Sequence, residues 1–177
     1  PKVLDVSTIV DAEIKDYLKY LRRYRMDYYF LNITTDIGVP SCACVLIDAT
    51  GDEPIITVGG GSGFSLKELI YQSAGEALAV HASVSSRDAH VLPDAYKPFT
   101  DRNVGRDERL SLWRGREMLE RFRFFISGAR QSFEGFMGEV GWHDTPEKQL
   151  AYITDRFRQL GAGYEAYIFE AAHPVLK

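Results

Sequence analysis

The 177-residue sequence is poor in the residues that would fix its chemistry by inspection. It has only two cysteines, Cys42 and Cys44. Two apart on a strand, they would share one face, a poor placement for a structural disulfide, so a reducing cytoplasm is the simplest compartment. The four histidines, at 81, 90, 143 and 173, lack metal-ligand spacing, so a zinc site is not indicated. No apolar run approaches the roughly 20 residues of a bilayer-spanning helix. Charge of one sign is scarce too. A net charge of −4 with 26% charged residues argues against a general nucleic-acid binder, which carries a basic balance. There is no Gly-Lys-Ser/Thr, and Phe64 stands where a dinucleotide fingerprint wants its last glycine. Ser62 has glycine directly after it, one place early for a nucleophile elbow, and no triad is evident.

What is present is an ordinary globular composition: 45% hydrophobic and 12% aromatic, in one domain's length of chain. Helical spacing of Ile14, Leu18 and Leu21 predicts a helix over Asp11–Arg25, capped by Ser7 or Thr8. Three strands follow over Tyr28–Thr35, Pro40–Asp48 and Pro54–Val58. The second is almost continuously apolar, which predicts cover on both faces. A glycine-rich loop, Gly59-Gly60-Gly61-Ser62-Gly63, then leads into a helix from Ser65 to Ser83, where Ser65 and Glu68 have capping-box spacing. A long irregular connection spans Arg87–Glu108, and a helix resumes over Arg109–Ile126. Gly128–Gly141 is Gly- and Phe-rich without a clear period. Thr145 and Pro146 open a last helix that stops at Gly161, and Tyr164–Phe169 reads as a final strand. The expected fold class is mixed α/β, a sheet with packed helices, as one domain over 1–177.

Three features are candidates for chemistry. The glycine loop before a helix N-terminus could hold a phosphate through backbone N–H groups, or could be only a tight turn. Glu76, in the middle of the helix, could ligate a divalent cation, since Mg²⁺ prefers oxygen donors and is often held by one or two carboxylates plus phosphates. It equally fits a solvated outer face, which it shares with Glu68 and Gln72. The stretch Asp101–Arg130 has eight Arg, no Lys and five acidic residues. It could embrace an acidic ligand, although arginines interspersed with glutamates on a helix surface are the commoner pattern.

With these residues in place, the chain resembles the YcaO family of ATP-dependent enzymes that activate backbone amides. Thr35-Asp36-Ile37-Gly38-Val39-Pro40 is similar to the family's turn into a core strand. Gly61-Ser62-Gly63 followed by Ser73-Ala74-Gly75-Glu76 resembles its glycine loop and Ala-Leu-x-Glu helix, and Arg109-Leu110-Ser111-Leu112-Trp113 resembles the segment beyond. The resemblance covers about Tyr28 to Trp113. It implies a YcaO-like sheet, ATP and Mg²⁺ as cofactors, and Glu76 as a nucleotide- and metal-binding residue. It also implies a cyclodehydratase-like reaction on a ribosomally made precursor peptide, with a leader-binding partner protein and a homodimer as further expectations. The nucleophile in azoline formation is a Cys, Ser or Thr of the substrate, so no catalytic nucleophile is assigned here.

Departures from the family pattern are specific. Ala79 and Val80 stand where a Gln commonly follows the Glu by one turn. The family's other ATP helix, Ser-x-x-Glu-x-x-Glu-Arg, and its proline-rich tail are absent. With a start at Pro1 and an end just after a strand-like run, these absences read as an incomplete, internal portion of a larger YcaO-like domain, inactive alone. Two other readings are a degenerate YcaO-like domain that binds peptide or partner without catalysis, and an unrelated α/β domain for a phosphorylated ligand.

Overall fold

The computed structural model describes residues 1–51, 55–86, 112–138, 143–161 and 167. Five strands, β1 (Lys2–Asp5), β2 (Met26–Asn32), β3 (Ser41–Asp48), β4 (Ile55–Ser62) and β5 (Arg130–Ser132), form one sheet in the order β4-β3-β2-β1-β5. The helices are α1 (Ala12–Arg23), α2 (Leu66–Ser85), α3 (Arg116–Ile126), α4 (Phe133–Gly138) and α5 (Pro146–Leu160). Neighbouring strands are antiparallel except β1 and β5, which run parallel. The expected mixed α/β class is therefore what the chain adopts.

Strand alternation sorts the core into two layers. Leu4, Phe30, Cys42, Cys44 and Leu46 face α1, α2 and α4, which contribute Ile14, Leu69, Ile70, Ala77, Phe133 and Phe136. Val3, Leu31, Val45, Ile47 and Ile56 face the other way and pack against Phe122 of α3, with Trp113 and Phe125 beside it. Every residue from Cys42 to Ile47 is buried, so β3 is covered on both faces as its apolar run predicts.

Several boundaries differ from expectation, each for a local reason. Asp11, not Ser7 or Thr8, caps α1: its carboxylate accepts the N–H groups of Glu13 and Ile14 at 2.8 and 3.0 Å. Ser7 and Thr8 belong to a 3₁₀ turn, Val6–Thr8, capped by Asp5. Ser65 caps α2 through the Glu68 N–H at 3.3 Å, and the helix runs two residues beyond Ser83. The resumed helix starts at Arg116, after Gly115 at φ 94°. Leu112–Gly115 are instead drawn to the edge of β4, where the Trp113 carbonyl accepts the Ile56 N–H at 3.0 Å and Arg114 bridges Ile55. The ambiguous stretch after Gly128 supplies β5 and α4. Thr145, Pro146 and Gly161 bound α5 as read. The Arg87–Glu108 connection, residues 109–111 and, apart from Tyr167, the Tyr164–Phe169 strand lie outside the described residues.

The largest correction concerns the glycines. Gly59, Gly60, Gly61 and Ser62 are not a loop; they are the second half of β4. Gly59 and Gly61 lie on the face that α2 crosses. A Cβ on Gly59 would come under 3.0 Å from Ala77 N, Ser73 O and Glu76 C, and one on Gly61 would do the same with Leu69 O. Their lack of a side chain brings helix and sheet backbones together. The buried Thr57 hydroxyl bonds the Ala77 carbonyl at 3.0 Å along the same contact.

Candidate functional site

The site grows from that close contact. Because α2 lies against edge strand β4, a side chain on the helix flank can reach the strand's outer main-chain groups. Glu76 does so: its Oε2 accepts the Gly60 N–H at 2.6 Å while the residue remains exposed. Alternation explains why that N–H is available. Gly63 N–H points inward to the Pro40 carbonyl at 2.9 Å, so the N–H groups of Ser62, Gly60, Val58 and Ile56 point outward. Those of Ile56 and Gly60 are taken by Trp113 and Glu76.

Gln72 and Glu68 are exposed on the same flank, one and two turns before Glu76, and the Gln72 stem lies beside Gly61. Ser62 and Ser41, opposite each other on the outer face of β4 and β3, share a hydrogen bond of 2.8 Å between hydroxyls. Glu76, Gln72 and Glu68 therefore line one flank of α2 along a glycine-floored strand edge, while the Ser41 and Ser62 hydroxyls lie on the opposite face of the sheet. These oxygen donors suit Mg²⁺. No group of three or more His, Cys, Asp or Glu converges among the described residues, so a complete cage is not formed by them.

The turn before β3 is held from outside. Arg156 of α5 donates to the Asp36 carbonyl at 2.6 Å and the Ile37 carbonyl at 3.2 Å, and the Tyr152 hydroxyl donates to the Gly38 carbonyl at 3.2 Å. Gly38 has φ 79°, and a Cβ there would run into the Tyr152 hydroxyl. Phe64, buried at the β4–α2 junction, packs edge-on against His143 and Tyr152. One helix thus fixes both chain connections beside the Ser41–Ser62 end of the site. Sequence reading missed this clamp, because Tyr152 and Arg156 are distant in the chain from the turn they hold.

The remaining candidates resolve into structural roles. Cys42 and Cys44 are buried and free. Burial pushes both thiols up, away from the thiolate, although a bond with Ser73 opposes this at Cys42. They are inert core residues. His81, on α2, pairs with Asp48 at the end of β3 through Nε2 at 2.9 Å, and Ser85 approaches the same nitrogen at 3.4 Å. A relay needs the hydroxyl and the carboxylate on opposite ring nitrogens, so this cluster is not a catalytic triad.

Asp48 does make acid stability predictable. Burial pushes its carboxyl up, but hydrogen bonds from the Thr50 hydroxyl and N–H, then from His81, outweigh this and hold it below its ordinary value. A carboxyl lowered on folding contributes stability that is complete above its unfolded value and is lost as pH falls through the folded one. Asp48→Asn is accordingly expected to destabilise the protein to its full extent above about pH 5. The difference from wild type should shrink below about pH 4, as urea melts across that range would show.

Comparison with known proteins follows this geometry. No match is found among curated proteins. Among solved structures, a heterocyclase in complex with substrate and cofactor superposes with a TM-score of 0.64 at 13% identity, over 90% of this chain and 20% of that one. The heterocyclase TruD superposes with a TM-score of 0.55 at 12% identity, with the same two coverages. These likenesses establish the fold, and the chain spans about a fifth of the length of either heterocyclase. The family profile described as YcaO cyclodehydratase, ATP- and Mg²⁺-binding, matches residues 1–177. The chain belongs to the YcaO family.

Proposed function

We infer that this chain forms part of an ATP-dependent enzyme that activates peptide-backbone amides, and that Glu76 helps to seat the Mg²⁺–nucleotide. The observation that carries the reading is the hold on Glu76. Gly60 N–H fixes one carboxylate oxygen, which leaves Oε1 as an oriented, solvent-facing donor. An anchored carboxylate loses less freedom on binding a cation than a free one does. Glu68 and Gln72 extend the same oxygen-lined flank, and the family's description as ATP- and Mg²⁺-binding supports this placement. When bound, ATP supplies the phosphoryl group that converts an amide oxygen into a leaving group. The attacking nucleophile belongs to the substrate peptide, so this chain's task is electrostatic and positional.

On this reading the substrate is a ribosomally made precursor peptide, assisted by a leader-binding protein. The chain acts as a portion of a larger YcaO domain and does not turn over ATP alone. A homodimer is consistent with apolar side chains left in solvent, such as Val10 and Phe124. The reducing cytoplasm suits the two free thiols, and among the described residues no helix is long and apolar enough to cross a membrane.

Glu76→Gln tests the assignment in the full-length protein. The amide oxygen can still accept the Gly60 N–H, so the fold should stand, whereas the charge that faces the cation is gone. Mg²⁺-dependent nucleotide affinity is expected to fall by about 10- to 100-fold, in line with the loss of a group that holds or orients a metal. Unchanged affinity by calorimetric titration would remove Glu76 from the site. One observation favours the non-catalytic alternative, in which the domain binds peptide or a partner only: Ala79 is exposed where the family commonly places a Gln. In that case the wild-type protein itself would show no Mg²⁺–nucleotide binding.

A further inference from the structure

Among the described residues one buried side-chain donor lacks a hydrogen-bond partner, and it lies on the same strand edge as Glu76. It is Nε of Arg114, a half-buried residue of the arginine-rich stretch. The backbone around it is fixed. The Ile56 N–H bonds the Trp113 carbonyl at 3.0 Å and Arg114 bridges Ile55 in antiparallel sense, so both residues lie flush against the outer edge of β4. Alternation then decides where each side chain goes. Trp113 shares a face with Ile56 and packs edge-on against Phe122 of α3, with ring centroids 5.3 Å apart. Arg114 shares the opposite face with Ile55, and so with Asp48, which pairs with Ile55 across β3 and β4. That is the face covered by α2, whose His81 bonds Asp48 there.

Arg114 and Glu76 therefore come to the outer edge of β4 from one side of the sheet. The helix runs antiparallel to the strand: Gly61 lies beside Leu69, Gly59 beside Glu76 and Ala77, and the Asp48–Ile55 row beside His81. His81 is about 7.5 Å further along the helix axis than Glu76. Ala79 and Val80, between them, have short side chains. The carboxylates nearby are already engaged. Glu76 accepts the Gly60 N–H, Asp48 is held by Thr50 and His81, and Glu117, in the first turn of α3, pairs with Arg121. A buried N–H left unmet costs stability, so its presence calls for a reason.

We propose that Arg114 is a phosphate-binding residue of this site and holds the phosphate chain of the nucleotide that Glu76 serves through Mg²⁺; the proposal rests on that reading of Glu76. The two side chains divide the work, the carboxylate meeting the cation and the guanidinium meeting phosphate oxygens. A guanidinium offers a planar fork of N–H donors that matches phosphate oxygens two at a time, and Nε is one arm of that fork. Bound phosphate thus satisfies the donor that the protein alone leaves unmet. Glu76 by itself repels a phosphate, so Arg114 supplies the part of the attraction that does not depend on the metal.

The test is calorimetric titration of the full-length protein with ATP and with inorganic tripolyphosphate, each in Mg²⁺ and in EDTA. Arg114→Met is expected to weaken both ligands at least tenfold in either condition. Arg114→Lys keeps the charge without the fork and should recover only part of the loss. Arg116→Ala, at an exposed neighbour, should change either affinity less than twofold, which excludes a general effect of charge. In the ligand-free protein Arg114→Met should leave the urea midpoint at or above that of wild type, because methionine keeps an apolar stem opposite Ile55 and buries no unmet donor. A lower midpoint with unchanged phosphate affinity makes Arg114 a structural edge residue and overturns the proposal. Full affinity in Arg114→Met, where Glu76→Gln loses the Mg²⁺-dependent part, also overturns it and leaves the nucleotide reading standing. Loss of tripolyphosphate in Arg114→Met with no effect of Glu76→Gln supports phosphate binding at Arg114 and removes Glu76 from the site. A wild-type protein that binds neither ligand overturns both.

Discussion

Replacing Gly59 with valine is expected to destabilise the protein by about 3 kcal/mol or more, at the upper end of what overpacking a core costs. Even the first added carbon would come under 3.0 Å from backbone atoms of α2 at Ser73, Glu76 and Ala77, none of which can rotate away. The helix must lift from β4, which exposes the contact of Ala77 and Ser73 with the strand and breaks the Thr57–Ala77 hydrogen bond. It would also carry Glu76 away from Gly60. Gly60→Ala is the matched control: its Cβ would meet only the Glu76 Oε2, at 3.7 Å, so the effect should stay within about 0.5 kcal/mol. Urea denaturation of the two variants decides the point. Similar losses in both would show that β4 and α2 are not locked by the glycine contact.

Phe136→Ala is expected to cost about 3–5 kcal/mol. Phe136 is fully buried, packs edge-on against Phe133, and joins the layer that contains Phe30, Ile14 and Leu69. It sits on α4, a helix of six residues that would not persist without this burial. Removing the ring therefore leaves a cavity and also removes much of what holds α4 in place. A loss below about 1 kcal/mol by denaturation would mean that α4 is only laid on the surface.

These two sites also show which parts of the fold could be read from sequence. Helical period, cap chemistry and an unbroken apolar run belong to contiguous residues, and so α1, β3, α2 and α5 were legible. The stretch Phe133–Gly138 was not, because a single turn plus a few residues has too little length to show a period. β1 and β5, of four and three residues, were hidden for the same reason: β1 is held between β2 and β5, and β5 pairs with β1, both through partners distant in the chain.

The glycine run was misread because glycine permits two opposite things: a sharp turn, or a strand with nothing projecting from it. Which one holds depends on whether a helix lies across it, and that is tertiary information. At the candidate site, Glu76 was identifiable from its place on α2, but its anchor, the Gly60 N–H, follows only from β4 being an edge strand. The match of the whole chain to YcaO sets aside an unrelated α/β phosphate-binding domain.

The position of β1 has a consequence for how the molecule is made. It is an interior strand, yet one of its two neighbours, β5, pairs Leu4 with Gln131. During synthesis the β4-β3-β2-β1 ribbon can assemble from nearby segments, but its β1 margin stays bare until most of the remaining chain has emerged. Closing so long a span before any pairing is gained is entropically unfavourable, which places the docking of β5 and α4 among the late steps of folding. Until then Phe30 and its neighbours lack their aromatic cover, and the nascent chain presents an open strand margin on which another copy can stack.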